Sequence, residues 1–263
     1  MPSTEQQPTA EPLVRTERRD GVLVITLNRP EARNAVDRPT AQALAAALDL
    51  LEGDSGLRVG ILTGSGGTFS AGMDLKAFAR GESPVLDGRG FGGLTRAART
   101  TPLIAAVEGW ALGGGTEMVL ACDLVVAAHD ARFGLPEVTR GIVAPEGGLV
   151  RLPRRIPPTV AAELLLTGRP LAADRAAALG LVNRLTEPGG ALAAALELAE
   201  MIAANAPLAV AAVQRMLAEG VDLPESDAFR LQDEVVASVL HSQDAAEGAR
   251  AFADKRPPRW QGR

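Results

Sequence analysis

The chain is organised around nine residues at positions 110–118, Trp-Ala-Leu-Gly-Gly-Gly-Thr-Glu-Met. The apolar run Leu103–Val107 before them predicts a buried strand, and Met118–Ala121 after them is compatible with a helix. Glycines at such a crossing let the backbone approach a ligand closely, because no Cβ stands in the way. The first amides of a helix have no internal partner, so the crossing predicts a site for negative charge.

Glu117 adds a carboxyl group to this predicted anion site. It lies three residues beyond Gly114, which places it about one helical turn further along the same face. The same residues also fit a plainer interpretation, a tight strand-to-helix crossing with a solvated glutamate. The glycines alone do not decide between the two.

Composition narrows the class of protein. The 263 residues are 46% hydrophobic, enough for the core of one large domain or of a domain with a small appendage. The net charge of −5 argues against a nucleic-acid partner. A single cysteine, Cys122, cannot form an internal disulfide, so we interpret it as core packing in a reducing, cytoplasmic compartment. His129 and His241 stand apart in polar surroundings, so neither a metal site nor a serine–histidine triad is predicted.

The N-terminus and the aromatic content argue against further classes. Residues 1–12 are polar and predict a disordered tail, not a targeting signal. No apolar run approaches the roughly 20 residues that cross a bilayer, so no membrane span is predicted. Aromatic residues make up 3% and tyrosine is absent, which argues against a tyrosine acid or a stacking surface for bases.

The order of elements predicts an α/β fold, because strands, glycine loops and helices repeat along the chain. Asp20-Gly21 indicates a hairpin between strands 13–18 and 22–27. Residues 80–92 are rich in Gly, Pro and charge and predict a mobile segment. The other predicted strands are 59–63, 103–107, 124–128 and 182–185, and the predicted helices are 40–52, 94–99, 158–166, 189–204, 207–219 and 227–241.

Four motifs resemble those of one known family, the crotonase family, also called the enoyl-CoA hydratase/isomerase family. Ser70–Lys76 resembles its first oxyanion loop, Gly109–Glu117 its second, and Ala131–Glu137 its third, which bears a catalytic glutamate. Asn28–Ala35 resembles its early coenzyme-A loop. Each motif is modest alone, but four in order at the expected spacing over residues 13–263 indicate the family.

The resemblance implies a fold, an assembly and a ligand. Residues 13–188 would form a spiral of repeated strand-strand-helix turns, and residues 189–263 a helical C-terminal region that builds a homotrimer or homohexamer. The implied substrate is an acyl-CoA thioester. No metal is implied, and no cofactor apart from the coenzyme A that is part of the substrate.

The resemblance also implies which residues act. The backbone N–H groups of Met73 and Gly114 match the family's oxyanion hole, and Glu117 and Glu137 match its pair of hydratase carboxylates. Phe91 is expected at the acyl end of the ligand. The residues matched to substrate and coenzyme-A binding are Ala32, Arg33, Ala71, Asp74, Lys76, Gly113 and Lys255.

These residue types suit the addition of water to a 2-enoyl thioester. The reaction puts negative charge on the thioester oxygen, and losing one preorganised N–H donor typically costs ~3–4 kcal/mol of barrier. Two carboxyl groups that hold one water supply both the base for the water and the proton for the α-carbon. The leading interpretation is therefore an enoyl-CoA hydratase that forms 3-hydroxyacyl-CoA.

Two alternatives stay open. One is another reaction of the same family, either double-bond isomerisation or dehydration of a polar acyl-CoA such as a carnitinyl thioester. The other is a non-catalytic acyl-CoA-binding protein. One departure bears on the substrate, since Ala144-Pro145-Glu146 stands where fatty-acid hydratases carry a proline, a glycine and a small residue. We expect the Glu146 carboxylate to point into solvent; in the pocket it would instead select a polar acyl group or alter the reaction.

Lys255 tests the implied binding of coenzyme A. A contact to the coenzyme's phosphate is the same in the ground and transition states, so Lys255→Ala should raise KM by roughly 10–100-fold and leave kcat nearly unchanged. Steady-state kinetics at low and high salt measure this, and screening should shrink the effect at high salt. An unchanged KM at low salt would place Lys255 in a solvated tail.

Overall fold

The computed structural model describes residues 11–263. Within this range the chain has the α/β architecture that the sequence predicts. The predicted disordered tail lies outside the described residues, except for Glu11 and Pro12.

Strands and helices alternate along most of the chain. The strands of the described residues are β1 (Val14–Arg19), β2 (Val22–Leu27), β3 (Val59–Gly64), β4 (Val85–Leu86), β5 (Gly90–Phe91), β6 (Leu103–Val107), β7 (Trp110–Leu112), β8 (Leu124–Ala128), β9 (Arg132–Gly134), β10 (Leu171–Ala172) and β11 (Arg184–Thr186). The helices are α1 (Arg38–Gly53), α2 (Leu75–Ala79), α3 (Gly114–Ala121), α4 (Gly148–Arg155), α5 (Pro158–Thr167), α6 (Ala173–Ala178), α7 (Ala191–Ala203), α8 (Pro207–Arg215), α9 (Glu225–Leu240) and α10 (Gln243–Ala253).

A six-stranded sheet in the order β1-β2-β3-β6-β8-β11 forms the centre of the molecule. β1 and β2 are an antiparallel hairpin, and the other neighbours are parallel. In β2 the alternation of side chains divides one apolar run between two cores. Leu23 and Ile25 join the large core that includes α1, whereas Val22 and Val24 join the core beneath α7. Because both faces are covered, the central strands are almost entirely apolar.

The chain winds as a spiral whose turns consist of two strands and a helix. β6, β7 and α3 make one such turn, and β8 and β9 begin the next. β6 pairs with β8 and β7 pairs with β9, both in parallel, so the second turn repeats the first one step along. This repetition places the segment after β7 beside the segment after β9, and these segments carry Glu117 and Glu137.

The helical C-terminal region is partly built into the core. Ala191, Ala195 and Ala199 of α7 are buried against the central sheet. Helix α8 is anchored by Gln214, whose Nε2 donates to the Asp123 carboxylate at 2.6 Å. Asp123 also pairs with Arg99, whose side chain is buried. Helix α7 lies beyond the boundary predicted at residue 188 and covers the central sheet. The boundary itself stays a prediction.

The helix predicted over residues 94–99 is wrong, because this segment forms turns. Gly92 and Gly93 precede it with positive φ angles that an α-helix cannot contain. The Thr95 hydroxyl accepts a hydrogen bond from the Phe91 amide at 2.8 Å, which fixes a turn in place of a helical ladder.

Three further segments contain elements that the sequence did not predict. Residues 80–92 contain the short strands β4 and β5 and are tied to α1 by the ion pair of Arg89 with Asp49, and their predicted mobility stays a prediction. Strand β7 is only three residues long, too short for a pattern to predict it. Helix α10 was not predicted, because it contains Gly248 and its apolar residues are small alanines apart from Phe252.

Cys122 is fully buried, which confirms its interpretation as core packing. Burial raises the pKa of its thiol to about 12, so the group stays protonated at neutral pH.

Among the described residues, no single helix is long and apolar enough to cross a membrane. Helix α7 and the segment Pro207–Gly220 meet those criteria only as a pair, and the pair bends by 106°. The cytoplasmic location stays a prediction.

Candidate active site

The loops 70–76 and 109–117, which the resemblance matches to oxyanion loops, are joined at the backbone. The Ser70 N–H donates to the Trp110 carbonyl and the Leu112 N–H donates to the Ser70 carbonyl, each at 2.9 Å. Gly72 follows with a φ of +85°, in the region that favours glycine. A Cβ at this position would lie 2.4 Å from the Leu112 carbonyl oxygen and 3.0 Å from the Gly114 nitrogen. The approach of the two loops therefore requires glycine at position 72.

Met73 and Gly114 each contribute a backbone amide at this junction. Gly114 is the first residue of α3, and the N–H of a first helical residue has no partner inside the helix. In the part of the chain that the structure describes, neither N–H donates to a protein acceptor. Both residues line a cavity of about 980 Å³. An anionic oxygen in this cavity would meet two unpaired donors and the positive end of α3.

Glu117 lies on the first turn of α3 and is only 2% exposed. Its Oε1 accepts hydrogen bonds from the amides of Glu146, at 2.7 Å, and Gly148, at 3.0 Å. Burial is the largest cause that raises the pKa of Glu117 to about 7; the two amides oppose the rise, and the charges of Glu137 and Glu146 add to it. Both protonation states are therefore populated near neutral pH, as acid–base catalysis requires.

Glu137 reaches the same cavity from the 3-10 turn Pro136–Arg140, which follows β9. It is 9% exposed, and a Cβ on Gly113 would lie 3.1 Å from its Oε1. Burial raises the pKa of Glu137, against the opposing effects of its own amide and of Arg140. Its Oε2 is buried and has no hydrogen-bond partner within residues 11–263. This oxygen is available to a ligand.

Glu146 does not point into solvent, so the expectation for this residue is wrong. Its side chain is buried and lines the cavity. The Arg96 guanidinium binds the carboxylate through Nε at 3.2 Å and Nη2 at 3.1 Å. The carboxylate is held in the cavity wall because this ion pair compensates its charge, which burial alone would make costly.

All the predicted site residues except Lys255 line this one cavity. Asp74 also caps helix α2, since its Oδ1 accepts hydrogen bonds from the amides of Lys76 and Ala77. Burial by itself would raise the pKa of Asp74, but these amides and the Arg29 guanidinium together lower it. Its position is therefore explained by capping, and its contact with substrate stays a prediction.

Lys255 lies outside the cavity of its own chain. It follows α10, is exposed and has a φ of +51°. Its predicted contact with coenzyme A stays a prediction.

An apolar wall completes the cavity, and most of it could not be predicted from the sequence. Phe91 lines the cavity as expected. The other apolar side chains come from separate segments, each too short to show a pattern: Leu75, Phe78, Val85, Leu112, Ile142 and Val143. Across the described residues, no group of three or more His, Cys, Asp or Glu side chains is placed to hold a metal ion.

Comparison with known proteins identifies the family. The model of the family described as enoyl-CoA hydratase/isomerase matches residues 17–263. The chain belongs to the enoyl-CoA hydratase/isomerase family. The resemblance indicated by the four motifs is thereby confirmed.

Relatives within the enoyl-CoA hydratase/isomerase family include hydratases and dehydratases. A carnitinyl-CoA dehydratase of Salmonella enteritidis is 44% identical over 250 residues, which cover 92% of this chain and 95% of the relative. The crystal structure of an enoyl-CoA hydratase from Mycobacterium tuberculosis is 57% identical, with a TM-score of 0.94 over 96% of this chain and 100% of that one. A carnitinyl-CoA hydratase from Mycobacterium avium is 43% identical, with a TM-score of 0.77 over 97% and 100% of the two chains. These structures confirm the crotonase fold, and the names of the relatives are consistent with a hydro-lyase.

Gly72→Ala tests whether the loop junction sets the position of the amides. The added Cβ meets backbone atoms, so the loops must separate, and a displacement of about 1 Å at a reacting group costs on the order of 100-fold in rate. Gly67→Ala is the matched control, with a φ of +69° but nothing within 4 Å of the added Cβ. Turnover of an enoyl-CoA should therefore collapse in the first variant only. Equal losses in both variants would assign the effect to backbone strain.

Glu117→Gln tests the raised pKa through stability. Between pH 4.5 and about 7 the folded state holds a proton that the unfolded state has released, so wild-type stability falls as pH rises through this window. Glutamine keeps an oxygen for the two amides but does not ionise. The variant should therefore gain up to roughly 3 kcal/mol over wild type at pH 8, and much less at pH 5. Denaturant unfolding at both pH values measures the difference; equal gains at both would contradict the raised pKa.

Proposed function

We propose that the chain is an enoyl-CoA hydratase, which adds water reversibly to a 2-enoyl-CoA to give 3-hydroxyacyl-CoA. One observation carries this proposal: two buried carboxyl groups and two unpaired backbone amides line the same cavity. The function is a hydro-lyase activity on acyl-CoA thioesters.

The amides of Met73 and Gly114 bind the thioester oxygen in the proposed reaction. As the C3–O bond forms, the electrons of the double bond move towards this oxygen and make an enolate. Two fixed donors at the end of a helix stabilise that charge without reorganising, and each is worth ~3–4 kcal/mol of barrier. These donors are free because Gly114 begins helix α3 and the Met73 N–H, next to Gly72, has no protein acceptor among the described residues.

The carboxyl groups of Glu117 and Glu137 act as general base and general acid in the proposed reaction. One of them, ionised, takes a proton from the attacking water, and the other, protonated, gives a proton to C2. The pair ends the hydration step with one proton, as it began. Burial raises the pKa of both groups, and that of Glu117 reaches about 7, so Glu117 is protonated in part of the molecules near neutral pH. The Glu117 Oε1 is fixed by two amides, which leaves its other oxygen to orient the water.

The remaining lining suits an acyl-CoA. Arg33 and Lys76 line the cavity and supply positive charge for the coenzyme's phosphates. The apolar wall that includes Phe78, Phe91 and Val143 suits a hydrocarbon chain. In this proposal the reaction needs no cofactor beyond the coenzyme A carried by the substrate.

Dehydration of a carnitinyl thioester is the second candidate, favoured by the 44% identity to a carnitinyl-CoA dehydratase. Its acyl group carries a quaternary ammonium, which proteins recognise with carboxylates or several aromatic rings. Glu146 is neutralised by Arg96, and the aromatic side chains among the described lining residues are Phe78 and Phe91 alone. These features favour the enoyl-CoA substrate.

A homotrimer or homohexamer is part of the proposal. Helices α8 to α10 and the turns between them leave large apolar side chains exposed, among them Val213, Phe229, Leu240 and Phe252. Exposed apolar patches mark surfaces that bind other proteins. An interface there would also bring Lys255 towards a neighbouring copy. Native mass spectrometry measures the oligomeric state.

Glu117→Gln and Glu137→Gln test the proposed chemistry. Each change removes an acid–base group and should lower the hydration kcat by at least ~100-fold, while binding of the saturated butyryl-CoA is kept. A spectrophotometric assay with enoyl-CoA substrates of four to sixteen carbons, and with a carnitinyl thioester, measures both activity and preference. Turnover confined to the carnitinyl thioester would select the second candidate. Near-normal hydration by either variant would remove that residue from the mechanism.

A further inference from the structure

Glu146 joins the two walls of the cavity through its side chain. Its Oε2 accepts hydrogen bonds from the Phe91 amide at 3.1 Å, the Thr95 hydroxyl at 3.1 Å and the Arg96 Nε at 3.2 Å. Its Oε1 accepts one from the Arg96 Nη2 at 3.1 Å. Every one of these partners lies in the segment that begins at β5, whereas Glu146 itself lies just before α4.

The backbone of the same residue holds the acid–base group. The Glu146 N–H donates to the Glu117 Oε1 at 2.7 Å. A shift of the Glu146 main chain would therefore move this donor away from the Glu117 carboxyl. Arg96 holds this main chain in place through two contacts. Its guanidinium donates to the Glu146 carboxylate and, at 3.1 Å, to the carbonyl of the neighbouring Pro145.

Phe91 extends this arrangement to the oxyanion hole. Its ring packs so closely against Gly114 that a Cβ there would lie 2.4 Å from the ring. The amide of Phe91 is one of the donors that Glu146 binds. Glu146 is thus linked to Gly114 by way of Phe91, and to Glu117 directly.

We propose that Glu146 is a positioning residue, which through its ion pair with Arg96 fixes both Glu117 and the Phe91 wall beside the oxyanion hole. This inference rests on the proposed hydratase function. It gives Glu146 no contact with the acyl group, because both of its oxygens are occupied and its charge is neutralised.

The ion pair also shapes the electrostatics around Glu117. The charged groups that face Glu117 are Glu137 from the turn after β9, Glu146 from the loop before α4, and Arg151 from α4. Removing Arg96 leaves the Glu146 charge uncompensated, which disfavours ionisation of Glu117. Removing the Glu146 charge leaves Arg96 uncompensated, which favours ionisation. The two single changes therefore push the titration of the site in opposite directions.

The test compares Arg96→Gln, Glu146→Gln and the double variant in the full-length protein. The Arg96 side chain is 60% exposed, so its replacement leaves the core intact. Arg175→Gln is the matched control, because Arg175 forms an exposed ion pair with Glu163 at 3.0 Å and lies outside the cavity. Thermal unfolding shows that each variant is folded. The pH dependence of kcat and of KM is then measured with 2-butenoyl-CoA.

Both single variants should lose about 10-fold or more in kcat, with KM changed less than about 3-fold, because the loss is one of alignment and not of binding. The pH profile of kcat has an apparent pKa that belongs to the carboxyl pair. This apparent pKa should rise in Arg96→Gln and fall in Glu146→Gln. In the double variant it should return towards the wild-type position. The control should match the wild type throughout.

Two outcomes separate this inference from the proposed function. A wild-type protein that hydrates no enoyl-CoA would overturn the proposed function, and this inference with it. The positioning role alone would be overturned by two results with an active wild type: the single variants keep their kcat, or their apparent pKa values shift in the same direction. A rise in KM without loss of kcat would show that Glu146 binds the substrate, which also contradicts the inference.

Discussion

The backbone contact between the loops at Gly72 and Gly114 is the constraint on which the active site depends. Ser70 lies at its centre: its Oγ donates to the Asn34 carbonyl at 2.8 Å and accepts from the Gly72 amide at 3.1 Å. Asn34 in turn donates from Nδ2 to the Thr68 carbonyl at 2.7 Å. The early loop and both oxyanion loops are thus one hydrogen-bonded unit. No side chain lies between the two loops where Gly72 meets Gly114. The amides of Met73 and Gly114 line the cavity there and have no protein acceptor among the described residues.

Three of the glutamates that line the cavity, Glu117, Glu137 and Glu146, differ in how fully their carboxylates are hydrogen-bonded. Glu146 is fully bonded and paired with Arg96, which suits a residue of the cavity wall. Glu117 has one oxygen fixed by two amides, and Glu137 has a buried oxygen with no partner in the described chain. Buried polar groups normally find partners, so an unsatisfied one marks a place where a ligand is bound. The number of hydrogen bonds to the carboxylate thus falls from Glu146 to Glu117 and Glu137, the two residues proposed as acid–base groups.

The family relationship indicates the type of reaction, whereas the lining of the cavity bears on which acyl group is bound. Hydratases and dehydratases occur among the relatives, and the same proton transfers run in both directions, so the carboxyl pair does not choose the acyl group. In the proposed function, that choice falls to the cavity wall formed by segments such as Leu75–Ala79, β5 and residues 142–146. In the proposed function, a neutralised Glu146 within an apolar wall argues against a cationic acyl group.

The sequence by itself determined the elements and motifs that follow local rules. Buried strands read as apolar runs, a close backbone approach requires glycine at positions such as Gly72, and a helix begins with unpaired amides at Gly114. Such requirements act over a few residues, so the strands and the glycine crossing could be predicted, whereas the roles of the loops and of Glu117 were indicated by the resemblance to the family. Residues 94–99 show where local rules failed, since the turns there are fixed by Gly92, Gly93 and the Thr95 hydroxyl.

Only the tertiary structure decided the surroundings of Glu146, whose partner Arg96 lies 50 positions away in the chain. Nothing in the local pattern distinguishes a buried, paired glutamate from a solvated one, because the difference is the presence of a distant counter-charge. The apolar wall was likewise assembled from separate short segments. Long-range packing brings these groups together, and their burial then fixes which carboxyl is neutralised and which keeps a raised pKa.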